Sequence, residues 1–378
     1  MKRSGQEVKK VAAEQRLIHK QEFGITVRNF LSHLNRIAGM VMDDLRRSGG
    51  LSWRQSLRAW RYGFRRINFR IYGLDRSGNP ADYLSYYQAL KQLPINDRFS
   101  EIIRNKLMFP LMMRHYGMPT PEIKGVIRDG LFYPLNPAAK LDPLKFLKES
   151  CPVGERLVIK PIWGWHGTGF ISVTHTRNGY QIHGEDISMH ALANIVGNLK
   201  YYIVTEFVTQ GEHGARLYPD TTNTIRLMTF WDTEKSEPFI ARVVQRIGTS
   251  RSFPVDNFKA SGKGGMSALV DRESGELGPA ARVDVKGYVT WYTEHPESHA
   301  QIKGAVVPDW IKLRESILSY AHRFAFMPCI GWDVVPTHSG FTIIEGNSNP
   351  GMPVMQVHGP MLTDPRIERF YRYHSVIS

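Results

Sequence analysis

Two short stretches carry the reading of this chain: Gly331-Trp332-Asp333-Val334, and Ile343-Ile344-Glu345-Gly346-Asn347-Ser348-Asn349-Pro350-Gly351. The β-rich runs 331–336 and 341–345 flank His338-Ser339-Gly340, a turn signal, so the spacing predicts an antiparallel hairpin. Side chains alternate between faces along a strand, so Glu345 and Asn347 share one side, where Asp333 of the partner strand can join them. Two carboxylates and an amide oxygen are hard ligands of the kind Mg²⁺ takes, with substrate phosphate helping to fill its octahedron. Without a cation the two carboxylates would repel each other and one pKa would rise. The alternative is a solvated turn with incidental acids.

Upstream, Leu157-Val158-Ile159-Lys160-Pro161 runs into Trp163-Gly164-Trp165-His166-Gly167-Thr168-Gly169. A lysine closing a strand ahead of glycines suits phosphate, because the ammonium supplies charge and glycines let backbone N–H groups approach the oxygens. An ordinary glycine-rich hairpin is the alternative. A P-loop and a dinucleotide fingerprint are excluded, since the glycines join two strands and no G-x-x-x-x-G-K-[ST] occurs. The apolar strand 201–208 ends in Glu206-Phe207-Val208. Such an edge can hold adenine between apolar faces and hydrogen-bonding groups, or its carboxylate can simply be solvated.

Strand signals also occupy 156–161, 169–174, 179–183, 224–231 and 239–247, with helices expected at 83–93, 97–116, 187–199 and 309–326. The second of those helices should be interrupted near Pro110 and closed by Gly117. Mostly antiparallel strands with a few helices imply an α+β or mixed α/β enzyme.

The 378 residues hold 49 Lys+Arg against 35 Asp+Glu, a net charge of +14. Residues 1–70 hold 16 basic and 5 acidic residues, a net of +11, so the remainder carries only +3. Ile25, Phe30, Leu34, Ile37, Val41 and Leu45 predict an amphipathic helix over 25–48, stopped by Gly49-Gly50. A capping box of Ser52 and Gln55 opens a second helix with Trp53, Leu57, Trp60, Phe64 and Ile67 along one face. Arg54, Arg58, Arg61 and Arg65 follow one residue later as a basic ridge about 100° around it. Such a helix can lie on a membrane surface, or pack its aromatic face on the next domain and leave its arginines solvated. Nucleic acid is disfavoured, because no RNA-binding signature accompanies the charge.

Only Cys151 and Cys329 are present, which excludes a disulfide framework and fits a reducing cytosol. Neither sits in a nucleophile motif, and the histidines show no zinc spacing. The charged start and the lack of an 18-residue apolar run predict a cytoplasmic protein, with any contact to the inner face of the membrane made from its surface.

The motifs occur in one order: Lys106 in Asn105-Lys106-Leu107-Met108-Phe109, Gly117-Met118-Pro119-Thr120-Pro121, Lys160 with its glycine loop, Glu206-Phe207-Val208, Asn223-Thr224-Ile225-Arg226, Arg246-Ile247-Gly248 and Glu345-Gly346-Asn347. In that order they resemble the ATP-grasp superfamily. Asn223 to Arg226, Val255-Asp256-Asn257-Phe258, Gly264-Gly265 and Val270-Asp271 are similar to its sugar-transfer-associated branch. The resemblance spans roughly 80–365 and implies an α+β, ATP-grasp fold of two α+β subdomains enclosing ATP.

Carried over residue by residue, it gives Lys106 and Lys160 to the α- and β-phosphates, with Gly164, Gly167, Thr168 and Gly169 covering them. Glu206, Phe207 and Val208 would hold adenine, and Glu212 the ribose. Arg226 and Arg246 would face the γ-phosphate or an acyl phosphate, and Asp333, Glu345 and Asn347 one or two Mg²⁺. Candidate substrate contacts are Asn223, Asp256, Asn257, Gly264, Gly265 and Asn349, with 253–266 as a substrate loop or a plain surface turn. The loop departs from the pattern, lacking a Gly-Lys-Gly core, and the basic start lies outside the match. The implied units are a basic helical segment, 1–75; the first part of the ATP-grasp unit, 76–155; a small subdomain, 156–210; and a C-terminal subdomain, 211–378.

The reaction implied is ligation of a carboxylate to an amine through an acyl phosphate. The carboxylate would be a hexuronic acid or amino-acid-bearing intermediate of a cell-surface polysaccharide, or a peptide-like metabolite. A phosphotransferase using the same ATP site and a non-catalytic basic scaffold for membrane or nucleic acid are the competing readings.

Overall fold

A computed structural model describes residues 39–42, 44–45, 50–135, 142–164, 167–259 and 263–378. Most of the helix expected over 25–48 lies outside the described residues; 39–42 and 44–45 are helical. Helix α1 (Trp53–Arg61) opens on the expected capping box: Gln55 N–H donates to Ser52 Oγ at 3.2 Å and Ser52 N–H to Gln55 Oε1 at 2.9 Å. The single helix predicted through Ile67 is instead two. Gly63, at φ +77°, cannot continue α1, and α2 (Arg66–Ile71) starts afresh three residues later. The inward face also differs from the periodic one, for Ser56 and Ala59 are buried while Trp53 and Leu57 are exposed. Phe64 and Phe69 anchor the segment, packing with Ala281 and Val283. Each such burial is worth about 1.5–3 kcal/mol.

After a 3₁₀ turn, α3 (Tyr86–Lys91) is followed by α4 (Ser100–Arg104) and α5 (Met108–His115). The break expected at Pro110 falls instead at 105–107. Pro110 occupies the first turn of α5, where its missing N–H has no intrahelical acceptor to lose. Gly117, at φ +72°, closes the segment as expected.

Two antiparallel sheets of seven strands follow. The first comprises β1 (Ile123–Arg128), β2 (Leu131–Pro134), β3 (Arg156–Pro161), β4 (Ile171–Thr176), β5 (Gly179–Ile182), β6 (Glu185–Ile187) and β7 (Tyr202–Glu206), in the order β2-β1-β7-β3-β4-β5-β6. Helices α6 (Pro143–Ser150) and α7 (Met189–Gly197) contribute Phe146, Leu147, Leu192 and Val196 to a core with Leu157, Ile159 and Val204 of the sheet. The period-two alternation of β3 then sends Val158 and Lys160 to the opposite face. Because β1 and β2 pair into this sheet, residues on both sides of the expected boundary at 156 contribute strands to it.

A short α8 (Glu212–Leu217) leads to the second sheet: β8 (Ile225–Asp232), β9 (Glu237–Ile247), β10 (Met266–Val270), β11 (Leu277–Val283), β12 (Val289–Tyr292), β13 (Cys329–Thr337) and β14 (Gly340–Asn347), ordered β12-β11-β10-β9-β8-β13-β14. One face packs on α9 (Trp310–Arg323) and α5 through Leu227, Trp332, Phe109 and Leu313. The other packs Met228, Phe230 and Val244 on α10 (Met352–Gln356) and α11 (Pro365–Tyr373). No helix among the described residues is long and apolar enough to cross a membrane.

Candidate functional site

The register of the second sheet builds the site. Glu345 pairs with Asp333 across β14 and β13, and Asp333 pairs with Arg226 across β13 and β8, so acid, acid and base stand side by side. Arg246 lies two residues beyond Val244, the β9 partner of Arg226, and therefore on the same face. This row meets Val158 and Lys160 of the first sheet across a cavity of about 660 Å³. The cavity is also lined by Lys106, Gly164, Gly167, Thr168, Glu206, Phe207, Val208, Asp256, Asn257, Asn347 and Asn349.

The electrostatics are dense. Arg226 holds both oxygens of Asp333, Nη2 reaching Oδ2 at 2.6 Å, and donates from Nη1 to the Pro350 carbonyl at 2.9 Å. Arg246 reaches Asp333 Oδ2 at 3.1 Å and Asn257 Oδ1 at 3.1 Å, and also pairs with Asp256. Burial alone would raise the Asp333 pKa, but Arg226 and Arg246 outweigh it and hold the carboxyl below its usual range. For Arg246, burial opposes the charge and the two aspartates more than restore it. Lys160 is buried and its pKa is lowered by desolvation, with Glu345 acting against that and Lys106 adding to it. Its ammonium is 3.5 Å from the Ile344 carbonyl. Lys106 donates to the Gly164 carbonyl at 2.8 Å and pairs with Glu345 Oε1 at 3.2 Å.

The glycine loop is close-packed. A Cβ on Gly167 would sit 3.1 Å from Val255 Cγ1, and one on Gly169 2.7 Å from the Tyr202 hydroxyl; both glycines have positive φ. Trp165 and His166 lie outside the described residues. The donor set at the hairpin is all oxygen, which fits Mg²⁺. Glu345 and Asn347 are the better placed of the three. Asn347 Nδ2 is buried, near enough to help stabilise the Asp333 anion yet without an aligned hydrogen-bond partner. Asp333 has both oxygens on guanidinium groups, so ligating a metal would require it to share or release one.

Several expected residues are placed elsewhere. Glu212, the expected ribose contact, opens α8 with its side chain 79% exposed and 3.9 Å from Arg216, outside the residues that line the cavity, which include Asp220 and Thr222. Asn223 is fully buried and spent on structure: Nδ2 donates to the Gly214 and Tyr218 carbonyls at 2.8 and 2.6 Å, while Oδ1 accepts Gly248 N–H at 2.8 Å. These bonds give the side chain a structural role in holding the turn before β8 to Gly248. Asn223→Ala should therefore cost about 2–3 kcal/mol in urea unfolding by orphaning buried groups, with the KM values of the folded fraction unchanged. Unchanged stability with an altered KM would reverse that reading.

Gly264 and Gly265 are not in the lining either. A Cβ on Gly265 would stand 2.6 Å from the Ile247 carbonyl and 2.8 Å from that of Asp256, so it serves close backbone approach. Asp256 lines the cavity but its Oδ2 already accepts Thr224 N–H at 2.8 Å and the Thr224 hydroxyl at 2.6 Å. It fixes Arg246 and the strand start together.

Sequence reasoning missed Arg156, whose guanidinium lies 4.1 Å from the Phe207 ring centroid, along with Arg104. Arg156 was reachable, for it shares the Val158 and Lys160 face by alternation. Burial pushes the Cys329 thiol up to about 12, consistent with an inert cysteine.

Over residues 88–370 the chain matches the family described as sugar-transfer associated ATP-grasp. No curated protein matches it. Among solved structures it is similar to D-alanine–D-alanine ligase from Bacillus anthracis complexed with ATP, at 13% identity and TM-score 0.38, covering 72% of this chain and 68% of that one. It is also similar to D-alanyl-alanine synthetase A from Vibrio cholerae, at 12% identity and TM-score 0.41, covering 74% and 67%. The family match takes in both sheets and every cavity-lining residue named above, and the chain belongs to the sugar-transfer associated ATP-grasp family.

Proposed function

We propose that the chain is an ATP-dependent carboxylate–amine ligase. The observation that carries this is the row Glu345, Asp333, Arg226 and Arg246 facing Lys106 and Lys160 across one cleft. Lys106, Lys160 and the 164–169 loop would receive the polyphosphate, and Glu206, Phe207 and Val208 the adenine, with Arg156 and Val158 beneath it. Glu345 and Asn347, with Asp333, would hold Mg²⁺, which when bound supplies positive charge to the phosphate oxygens.

A substrate carboxylate oxygen attacks the γ-phosphorus, the bond from that phosphorus to the β,γ-bridging oxygen breaks, and ADP leaves with the electron pair. Arg246 and Arg226, fixed by Asp256, Asp333 and the Pro350 carbonyl, stabilise the negative charge spread over the transferring group. The amine nitrogen then attacks the acyl carbon, phosphate departs with the C–O electron pair, and the nitrogen releases its proton. Closure of the loop over the cleft keeps water from the acyl phosphate. The family's association with sugar transfer supports a hexuronic acid or an amino-acid-bearing polysaccharide intermediate as the carboxylate.

The test is trapping. Incubated with ATP, magnesium, hydroxylamine and a panel of uronic acids and amino acids, the enzyme should give a hydroxamate and one inorganic phosphate per hydroxamate. A stable phosphorylated product with no hydroxamate would exclude the acyl phosphate.

A further inference from the structure

The apolar stripe of α1 faces away from the protein. Trp53 is 65% exposed and Leu57 46%, while Ser56 and Ala59 take the inner side. Helical residues 39–42 and 44–45 lie against the same helix, because Asp44 Oδ2 accepts both Trp60 Nε1–H at 3.1 Å and Arg66 N–H at 2.8 Å. Met40 and Asp44 are buried there, and Met42 and Leu45 are 51% and 56% exposed. Among the described residues, four large apolar side chains on two joined helices are thus exposed, with Trp53 edge-on against Trp60 at a centroid distance of 6.3 Å. Single exposed apolar residues are ordinary, but four on one pair of joined helices mark a candidate interaction surface.

Charge selects the occupant. From Leu45 to Leu74 the sequence holds eight arginines and no acid. Some turn inward: Arg66 donates to the Asp44 and Leu51 carbonyls and Arg70 to that of Lys286. Arg54, Arg58 and Arg61 remain on the exposed surface beside Trp53 and Leu57. Nucleic acid would use these cations and leave Met42, Leu45 and Leu57 without a purpose. A tryptophan and leucines rimmed by arginine suit the boundary between headgroups and acyl chains.

We propose that this face docks on an anionic lipid bilayer, with α1 lying in the membrane plane and its arginines among the headgroups. The segment packs on β11 and Phe258, while the charged row of the cleft stands on β8, β9, β13 and β14.

The full chain should co-sediment with phosphatidylcholine vesicles containing about one third phosphatidylglycerol, less so in high salt. Trp53→Ser with Leu57→Ser should lower the partition coefficient by about tenfold or more, and Arg54→Glu with Arg61→Glu should remove most of the salt dependence, both with unchanged unfolding midpoints. Quenching of tryptophan fluorescence by brominated lipid, diminished in Trp53→Phe, gives a second readout independent of those variants. Vesicle binding by the Trp53/Leu57 variant at the wild-type level would overturn the proposal. So would binding of the wild type to a short DNA duplex but not to vesicles.

Discussion

Asp333→Ala is expected to destabilise the protein by about 3–5 kcal/mol, the cost of leaving buried charges without their partner. Asp333 is 3% exposed on β13, an interior strand of its sheet, and is shared by Arg226 and Arg246. Arg246 would keep Asp256, but Arg226 would retain only the Pro350 carbonyl. Urea unfolding should show a lower midpoint with an unchanged slope. Replacing the pair together, Arg226→Met with Asp333→Leu, should recover part of the lost stability while ligase turnover stays absent. A single variant within about 1 kcal/mol of wild type would show that the pair is solvated and not buried, against the typical magnitude for such pairs. The pH dependence has a definite sign. The folded pKa of Asp333 lies below its unfolded value near 4, so its contribution is complete above pH 4 or so and is lost as pH falls through the folded value.

The second large effect falls on ATP and spares the fold. Lys160→Met should weaken ATP binding and turnover together by about 10²–10³, with stability unchanged or raised, because the buried ammonium is disfavoured in the empty cleft. Since the folded pKa of Lys160 is lowered, the charged form costs stability below that pKa, and the cost disappears as pH rises from it toward the unfolded value. A polyphosphate reverses the preference by favouring the ammonium. ATP binding should therefore take up a proton at pH values between the lowered pKa and the ordinary lysine value, and affinity should fall as pH rises through that window. Titration calorimetry in two buffers of different ionisation heat reads this directly. Wild-type affinity in Lys160→Met would remove Lys160 from the phosphate site, whereas buffer-independent heats in the wild type would show its ammonium already charged before ATP binds.

The hairpin of Asp333 and Glu345 was legible because alternation and a turn signal are local, and β13 and β14 pair in the register those signals require. Lys160 and Glu206 were legible for the same reason, each closing an apolar strand. Strands β10 to β12 were not, since β10 and β12 are only five and four residues long and β11 is broken by Gly278 and Pro279. The misreading of α1 has another cause. Periodicity says which residues share a face, but only tertiary contacts say which face turns inward, and here Asp44 and the cluster around Phe64 and Phe69 chose the small residues. Asn223 and Glu212 illustrate a third limit: a motif position carries no information on whether its side chain is spent on scaffold or left for a ligand.

Lys106 joins parts of the molecule that no strand connects. Its ammonium rests on the carbonyl of Gly164, in the loop rooted in the first sheet, and on the carboxylate of Glu345, at the edge of the second. One flexible side chain therefore acts as a crossbeam between two rigid walls, and the spacing of the walls is tied to what that ammonium touches. Under the proposed function, a triphosphate that engages Lys106 would exchange one tether between the sheets for another.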